Sequence, residues 1–306
     1  MKDYLNYINE KYPIRKTTEE KSSFLQFAID EGRELGYEGK IETIDKHNNL
    51  FFGNLQSAKV VFTAHYDTPS ASFIPNLMMP RNPLLSYLYA FSYPILLAIL
   101  SYLVAFFATN WIDLGKNQTT VLLVTYLILY LGSYFLTTRC FKNKHNINDN
   151  TSGVSAILAV MAKNPSKQIA FVLFDNEEKG LLGSKAFAKK HKELLKDKLI
   201  INFDCVGNGE HIIFVAKKGA KQHHLYALVK DSISSNEKYQ TYFYPIKGSV
   251  GNSDYKSFEN GVGVMACKKG KLGFYTDRIH TKRDTVSSFE NILFLTQGVT
   301  EFLKKI

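Results

Sequence analysis

Residues 174–184, FDNEEKGLLGS, decide the fold. Two adjacent carboxylates, Glu177 and Glu178, stand there between an apolar run and a glycine. The run before them, residues 168–174 (QIAFVLF), is short, apolar and rich in β-formers, so it reads as a buried strand of an α/β sheet. Residues 180–191 carry helical spacing. Acids at the carboxyl end of a buried strand lie in the crevice where open α/β sheets bind ligands. Adjacent carboxylates repel each other there, so a cation or a proton must join them.

Upstream, residues 59–64 (KVVFTA) read as a central strand that ends in His65, Tyr66 and Asp67. Side-chain direction repeats every second residue, so His65 and Asp67 share a face and the carboxylate can orient the imidazole. Residues 17–35 form an amphipathic pattern with Gly36 just past its end, which predicts a helix, and 40–43 with 49–52 predict a short hairpin. Downstream, the strand predicted at 198–203 ends in Asp204. Further strands are expected at 212–216, 241–244 and 262–266, with helices near 222–232 and over 287–304. Asp149 stands before a small-residue helix at 154–162, where an acid is ordinarily an N-cap.

The composition changes abruptly over residues 84–108 and 119–138. Neither stretch contains a charge, and each is long enough to cross a hydrocarbon core of roughly 30 Å. Tyr87, Tyr89, Trp111 and Tyr134 lie towards the ends, as interfacial aromatics do, and Pro94 is a candidate kink. The pattern predicts a transmembrane helical hairpin, residues 81–139, inserted into a single catalytic domain made of 1–80 and 140–306. Arg81, Arg139, Lys142 and Lys144 flank the near side, whereas the connecting loop carries only Lys116 and Asp113. The positive-inside rule therefore puts the folded part on the cytoplasmic side of a cell membrane, as a two-span protein.

The net charge of +10 is spread over dispersed lysines without a basic helix or a reader motif, so nucleic acid is not an expected partner. Three cysteines without CxxC spacing indicate neither a disulfide framework nor a thiolate zinc site. The N-terminal stretch is polar and lacks the apolar centre of a cleaved signal peptide. Oligomeric state is not encoded in any motif.

His65, Asp67, Asp149, Glu177, Glu178, Asp204 and His280 fall at strand-to-loop junctions that a sheet would gather at one edge. Five of these are carboxylates, and each unpaired ion costs several kcal/mol to desolvate, roughly, even after relaxation. Two divalent cations held by His65, Asp149, Glu178, Asp204 and His280 would resolve the conflict. Nitrogen with carboxylate ligation suits two Zn²⁺, and Co²⁺ or Mn²⁺ fits the same donors.

This ordered set, with Gly180, Gly183-Ser184 and Asp284-Thr285, resembles the co-catalytic, two-zinc aminopeptidase family, which also includes glutamate carboxypeptidases and transferrin-receptor-like proteins. The resemblance implies a mixed, mostly parallel sheet flanked by helices. It implies that Asp149 bridges two metals, that His65 and Asp204 complete one site, and that Glu178 and His280 complete the other. Asp67 would orient His65, Glu177 would be the general base, and the peptide bond after Asp149 would be cis. Where the family carries a tyrosine shortly before Ser-Asp-His, this chain has Ser253-Asp254-Tyr255, which leaves Tyr255 or a backbone amide as the candidate oxyanion contact.

The expected activity is removal of N-terminal residues from peptides. A carboxypeptidase, a glutaminyl cyclase of the same fold and a non-catalytic relative are the alternatives. A serine triad from Ser253, Asp254 and His280 is disfavoured because Ser253 sits in no GxSxG elbow. About ten residues separate Arg139 from Asp149, and an extended chain covers at most about 3.6 Å per residue, so the site lies within roughly 35 Å of the bilayer. Membrane-proximal peptides or hydrophobic N-termini are the expected substrates.

Overall fold

The computed structural model describes residues 2–74, 76–112, 115–166 and 168–306. Asp113, part of the predicted connecting loop, lies outside them. The chain opens with helix α1 (Tyr4–Lys11) and helix α2 (Thr18–Glu34). Thr17 and Glu20 close a reciprocal capping box at the start of α2, which fixes its first turn. Strands β1 (Gly39–Ile44), β2 (His47–Gly53) and β3 (Val60–His65) follow, then the short strands β4 (Ser70–Ala71) and β5 (Leu77–Met78). Helices α3 (Pro83–Asn110) and α4 (Gln118–Thr138) precede β6 (Phe141–Lys142), α5 (Gly153–Lys163) and β7 (Ile169–Phe174). The remainder comprises α6 (Leu182–Lys190), α7 (Lys192–Leu195), β8 (Leu199–Phe203), β9 (His211–Ala216), α8 (Lys218–Gln222), α9 (His224–Ser232), β10 (Gln240–Pro245), β11 (Gly261–Gly270), β12 (Gly273–Asp277) and α10 (Phe289–Leu303).

The sheet is mixed, with a parallel centre of β7, β3, β8 and β11. The β1–β2 hairpin adds antiparallel to β7, and β9 adds antiparallel to β11. Every residue of β3, β7 and β8 is buried, because helices cover both faces. On one face Phe62 stacks between Phe171 and Phe203, with ring centroids 5.8 and 6.0 Å apart, beneath Ile157 and Val160 of α5. On the other, Val61, Val172 and Ile200 pack under Phe187 of α6. The parallel register sets His65 opposite Phe174, so the ends of β3 and β7 reach the same edge. This places the HxD segment beside the glutamate loop.

Three expectations change in detail. The helix expected over 180–191 begins at Leu182, because Asn176 and Leu181 adopt left-handed conformations (φ 53° and 63°) that turn the chain back. Gly183 then approaches so closely that a side chain there would meet the Asp175 carbonyl at 2.1 Å. The helix expected near 222–232 begins at His224, because His223 is extended (ψ 130°) and separates it from the preceding short helix α8. Asp149 is not an N-cap, since the amide of Gly153 donates to the Asn150 side chain instead (3.0 Å). Strand β12 and helix α1 lie outside the sequence expectation.

Helices α3 and α4 pair with each other through Tyr102 against Tyr126 and a Tyr93–Thr137 hydrogen bond of 2.7 Å. Their outward faces are apolar and open, with Leu84, Phe91 and Ile128 each more than 60 % exposed. Both are long and apolar enough to cross a membrane. Pro94 lies inside α3.

Candidate metal centre

Each predicted ligand sits where an element ends. His65 is the last residue of β3, Asp204 follows β8, Glu177 and Glu178 follow β7, and Asp149 lies in the loop that enters α5. His280 follows β12 in a left-handed conformation (φ 58°), as does Cys205 next to Asp204 (φ 57°). Left-handed non-glycine residues around one site are local strain held by surrounding bonds. Asn150 donates to the Phe203 carbonyl (3.1 Å) and accepts from the Cys205 amide (3.2 Å), while Asn148 accepts from the Gly207 amide (2.9 Å). Asp284 accepts from the amides of Asn148 and Asp149 (3.1 and 3.0 Å). The Asp149–Asn150 peptide bond is cis.

These constraints aim the two carboxylate oxygens of Asp149 at different histidines. Oδ1 lies 3.3 Å from Nε2 of His65, and Oδ2 lies 3.0 Å from Nε2 of His280. Asp204 stands 3.8 Å from His65, and Glu178 stands 3.4 Å from His280. Donor atoms of His65, Asp149 and Asp204 all lie within 4.8 Å of one another, as do those of Asp149, Glu178 and His280. Glu177 joins a third such group with His65 and Glu178.

The electrostatics are those of a cage built for cations. Burial disfavours charge on His65, yet Glu177, Asp149, Asp204 and Asp67 outweigh it and raise the imidazole well above its ordinary value. His280 is likewise opposed by burial but pushed up to about 10 by Glu178 and Asp149. Burial raises Glu178 to about 8, and Glu177 also lies well above the usual carboxylate range, from burial and from the neighbouring acids. Among the described residues, Oε1 of Glu178 is buried without a hydrogen-bond partner. Unsatisfied carboxylate oxygen, two imidazoles and clustered acids together form a donor set that fits divalent metal.

Asp67 does more than the HxD spacing suggested. Its carboxylate lies 3.5 Å from Nδ1 of His65, its backbone carbonyl lies 3.1 Å from the same nitrogen, and its oxygens accept from the amides of Glu177 and Glu178 (3.0 and 3.3 Å). One side chain therefore fixes both the imidazole and the glutamate loop. Behind it sits Arg15, fully buried, donating to the carbonyls of Tyr66 and Tyr12 and to the Thr151 hydroxyl. Burial lowers its guanidinium to about 10, while Asp67 and Asp149 hold it charged. A lone arginine in a polar segment carries no sequence signal for such a role.

Tyr255 lines the same cavity with its ring flat against Gly263, where a side chain would meet it at 2.6 Å, and burial raises its phenol to about 12. Asp254 beside it is fully buried. Ser253 accepts from Asn202 (2.7 Å). The cavity, about 750 Å³, is also walled by Ser86, Tyr87 and Ala90 of α3. The base of the hairpin is thus part of the site.

Among curated proteins, none matches this sequence. Solved structures do. The chain is similar to a Zn-dependent exopeptidase from Parabacteroides distasonis at 15 % identity and a TM-score of 0.59, covering 97 % of this chain and 94 % of that one. It is similar to Porphyromonas gingivalis glutaminyl cyclase at 14 % identity and a TM-score of 0.59, covering 99 % and 97 %. With the Legionella pneumophila LapA aminopeptidase the identity is 14 % and the TM-score 0.57, covering 99 % and 68 %. At such identities these likenesses establish the fold. The signature of Peptidase family M28 matches residues 136–295, a span that begins in the last turn of α4 and contains Asp149, Glu177, Glu178, Asp204 and His280. His65 and Asp67 precede the hairpin and reach the same edge only through β3. With more than half of its length inside that match, the chain belongs to peptidase family M28.

Proposed function

We propose that the protein is a membrane-anchored metallo-aminopeptidase, with residues 1–80 and 140–306 as its catalytic domain and 81–139 as an inserted transmembrane hairpin. The observation that carries the reading is Asp149, whose two oxygens face His65 and His280 separately. In this reading His65, Asp149 and Asp204 hold one Zn²⁺ and Asp149, Glu178 and His280 hold the other, with Co²⁺ or Mn²⁺ as substitutes. Bound there, the metals would supply Lewis acidity for a scissile carbonyl and for water.

The chain's own groups do the rest. Glu177 faces the cage without being needed as a ligand, and its raised proton affinity suits it to accept a proton from water and return it to the leaving amine. Asp67 holds His65 and the Glu177 amide in place while that happens. Tyr255, which lines the cavity, or a backbone amide would donate to a developing oxyanion. A free substrate amino group fits the acidic cage electrostatically, which favours peptides with unblocked N-termini. The apolar outer faces of α3 and α4, flanked by Arg81, Arg139, Lys142 and Lys144, support a two-span anchor with the catalytic domain on the cytoplasmic side.

The test combines metal analysis of the purified protein with aminoacyl and N-blocked peptide panels. Bound zinc and cleavage of unblocked peptides alone are expected, and a metal-free active preparation would refute the reading. Because a glutaminyl cyclase shares this fold, glutamine-initiated peptides belong in the panel. Ammonia release without a new amino terminus would select that second reading. Resistance of the protein to alkaline extraction tests the anchor.

A further inference from the structure

A second cavity, about 400 Å³, opens beside the first and shares Asn76, Leu77, Ala90, Arg139, Glu178, Lys179 and His280 with it. Two of the proposed ligands therefore stand in the partition. The two chambers differ in character. The first holds the acidic cage and adds an apolar wall of Met78, Val215, Val250, Tyr255 and Met265. Arg139 and Lys179 stand on the wall common to both, and the second adds Lys16 and Lys21, with Asp67 and Glu178 as the carboxylates in its lining. Lys21 is already neutralised by Asp175 at 2.5 Å. Arg139 and Lys179 have no ion-pair partner among the described residues, and Lys16 donates only to the Ser70 hydroxyl. Burial lowers Lys16, and the positive charges of Arg139, Lys179 and Lys142 lower it further, with Glu178 as its one nearby offset. Lys142 is tied to Glu20 at 2.6 Å, so three cations are left facing the chamber.

Three like charges converging on a cleft one side chain away from the acidic cage call for an anion between them. The two chambers share Glu178 and His280, so a short peptide whose amino group lies in the cage extends towards this one. Resting on the aminopeptidase reading, we propose that Lys16, Arg139 and Lys179 bind the free C-terminal carboxylate of the substrate, so that the enzyme acts on di- and tripeptides. The apolar first chamber takes a hydrophobic side chain of the same peptide. Arg139 leaves the end of α4 directly into the chamber, which gives the hairpin a part in substrate selection as well as in anchoring.

The experiment uses the full-length protein in nanodiscs and measures kcat/KM for leucyl di- and tripeptides against their C-terminal amides. The free acids are expected to be preferred by at least about tenfold, as charge-assisted contacts provide. In Arg139→Gln and Lys16→Met that preference should fall to within about twofold, whereas Lys271→Gln, on the distant β11–β12 turn, should retain it. Equal use of acids and amides by the wild type, or an undiminished preference in Arg139→Gln, overturns the proposal. So does loss of binding to phosphatidylglycerol vesicles in Arg139→Gln with the acid preference intact, because the cations then serve lipid. Calorimetric affinities for the acid and the amide, taken on Glu177→Gln protein, read the subsite without turnover. Failure of the aminopeptidase reading is therefore separable from failure of this one.

Discussion

The edge of the parallel sheet and the α3–α4 pair solve opposite problems with similar amounts of apolar sequence. In β3 and β7 every side chain is buried, and the polar groups at the strand ends turn towards one another. In α3 and α4 the apolar side chains face outward, and the few polar contacts, such as Tyr93 to Thr137, lie between the helices. Only in the first region does hydrophobic packing serve chemistry, since it fixes backbone directions tightly enough to aim Asp149 at two histidines. The second region gains nothing from water-driven collapse of its outer face, which suits a hydrocarbon surrounding.

The contrast breaks most sharply at Glu177. Glu177→Gln preserves size and removes only the proton acceptor, so turnover should fall by roughly 10³-fold while bound metal, measured by emission spectrometry, stays at the wild-type level. Equal loss of metal and activity would make Glu177 a ligand and shift the proton transfer elsewhere. A pair of truncations comes next. Phe62→Ala removes a ring stacked between Phe171 and Phe203 and should cost about 3–5 kcal/mol in detergent-solubilised unfolding. Phe91→Ala, on the open face of α3, should leave that same transition unmoved. If both shift it equally, the outer face of the hairpin is packed against the catalytic part after all.

Metal removal sharpens the comparison through pH. The metal-free cage holds protons where it would hold cations, with His280 at about 10 and Glu178 at about 8. Both groups are held above their ordinary values, and ligation requires them deprotonated, so metal binding must release protons. Affinity should therefore rise with pH between 6 and 8, by about tenfold or more per unit, and calorimetry in buffers of different ionisation heat should count the protons. A flat profile would mean that the cage does not take the metal. The hairpin helices, which carry no Asp, Glu, His, Lys or Arg, should contribute nothing to it.

Legibility followed the same division. The fully buried strands were readable because a short run such as IAFVLF has only one way to be apolar on both faces, and the acids at their ends marked the edge. The hairpin was readable from length and composition alone. What stayed hidden depends on contacts between distant segments. Arg15 has no local pattern, yet it bridges residues 12, 66 and 151. Asp67 looked like a partner of His65 only, because its bonds to the Glu177 and Glu178 amides cross 110 and 111 positions. Strand β12 escaped because GFYTD is half-buried and short, although it delivers His280. Helix α1 buries only Tyr4, Leu5 and Ile8, a stripe too narrow to outweigh its polar composition.

The smallest effect lies where the two regions touch. Glu20 completes the cap of α2 and also accepts from Lys142, just beyond the end of α4 (2.6 Å). Partial burial opposes its charge, but Lys142 and the amides of Thr17 and Lys16 outweigh that and lower its carboxyl to about 2. A depressed folded-state value means that the stabilisation is complete above the unfolded value of about 4.5 and fades as the pH falls towards 2. Solvent screening at a partly exposed pair keeps its magnitude near 1 kcal/mol. Glu20→Gln should thus lower unfolding stability by about 1 kcal/mol at pH 7 and by much less at pH 3, measured by denaturant titration. A penalty that stays constant across that range would assign the loss to the cap geometry alone, with no contribution from the Glu20–Lys142 ion pair beside the base of the hairpin.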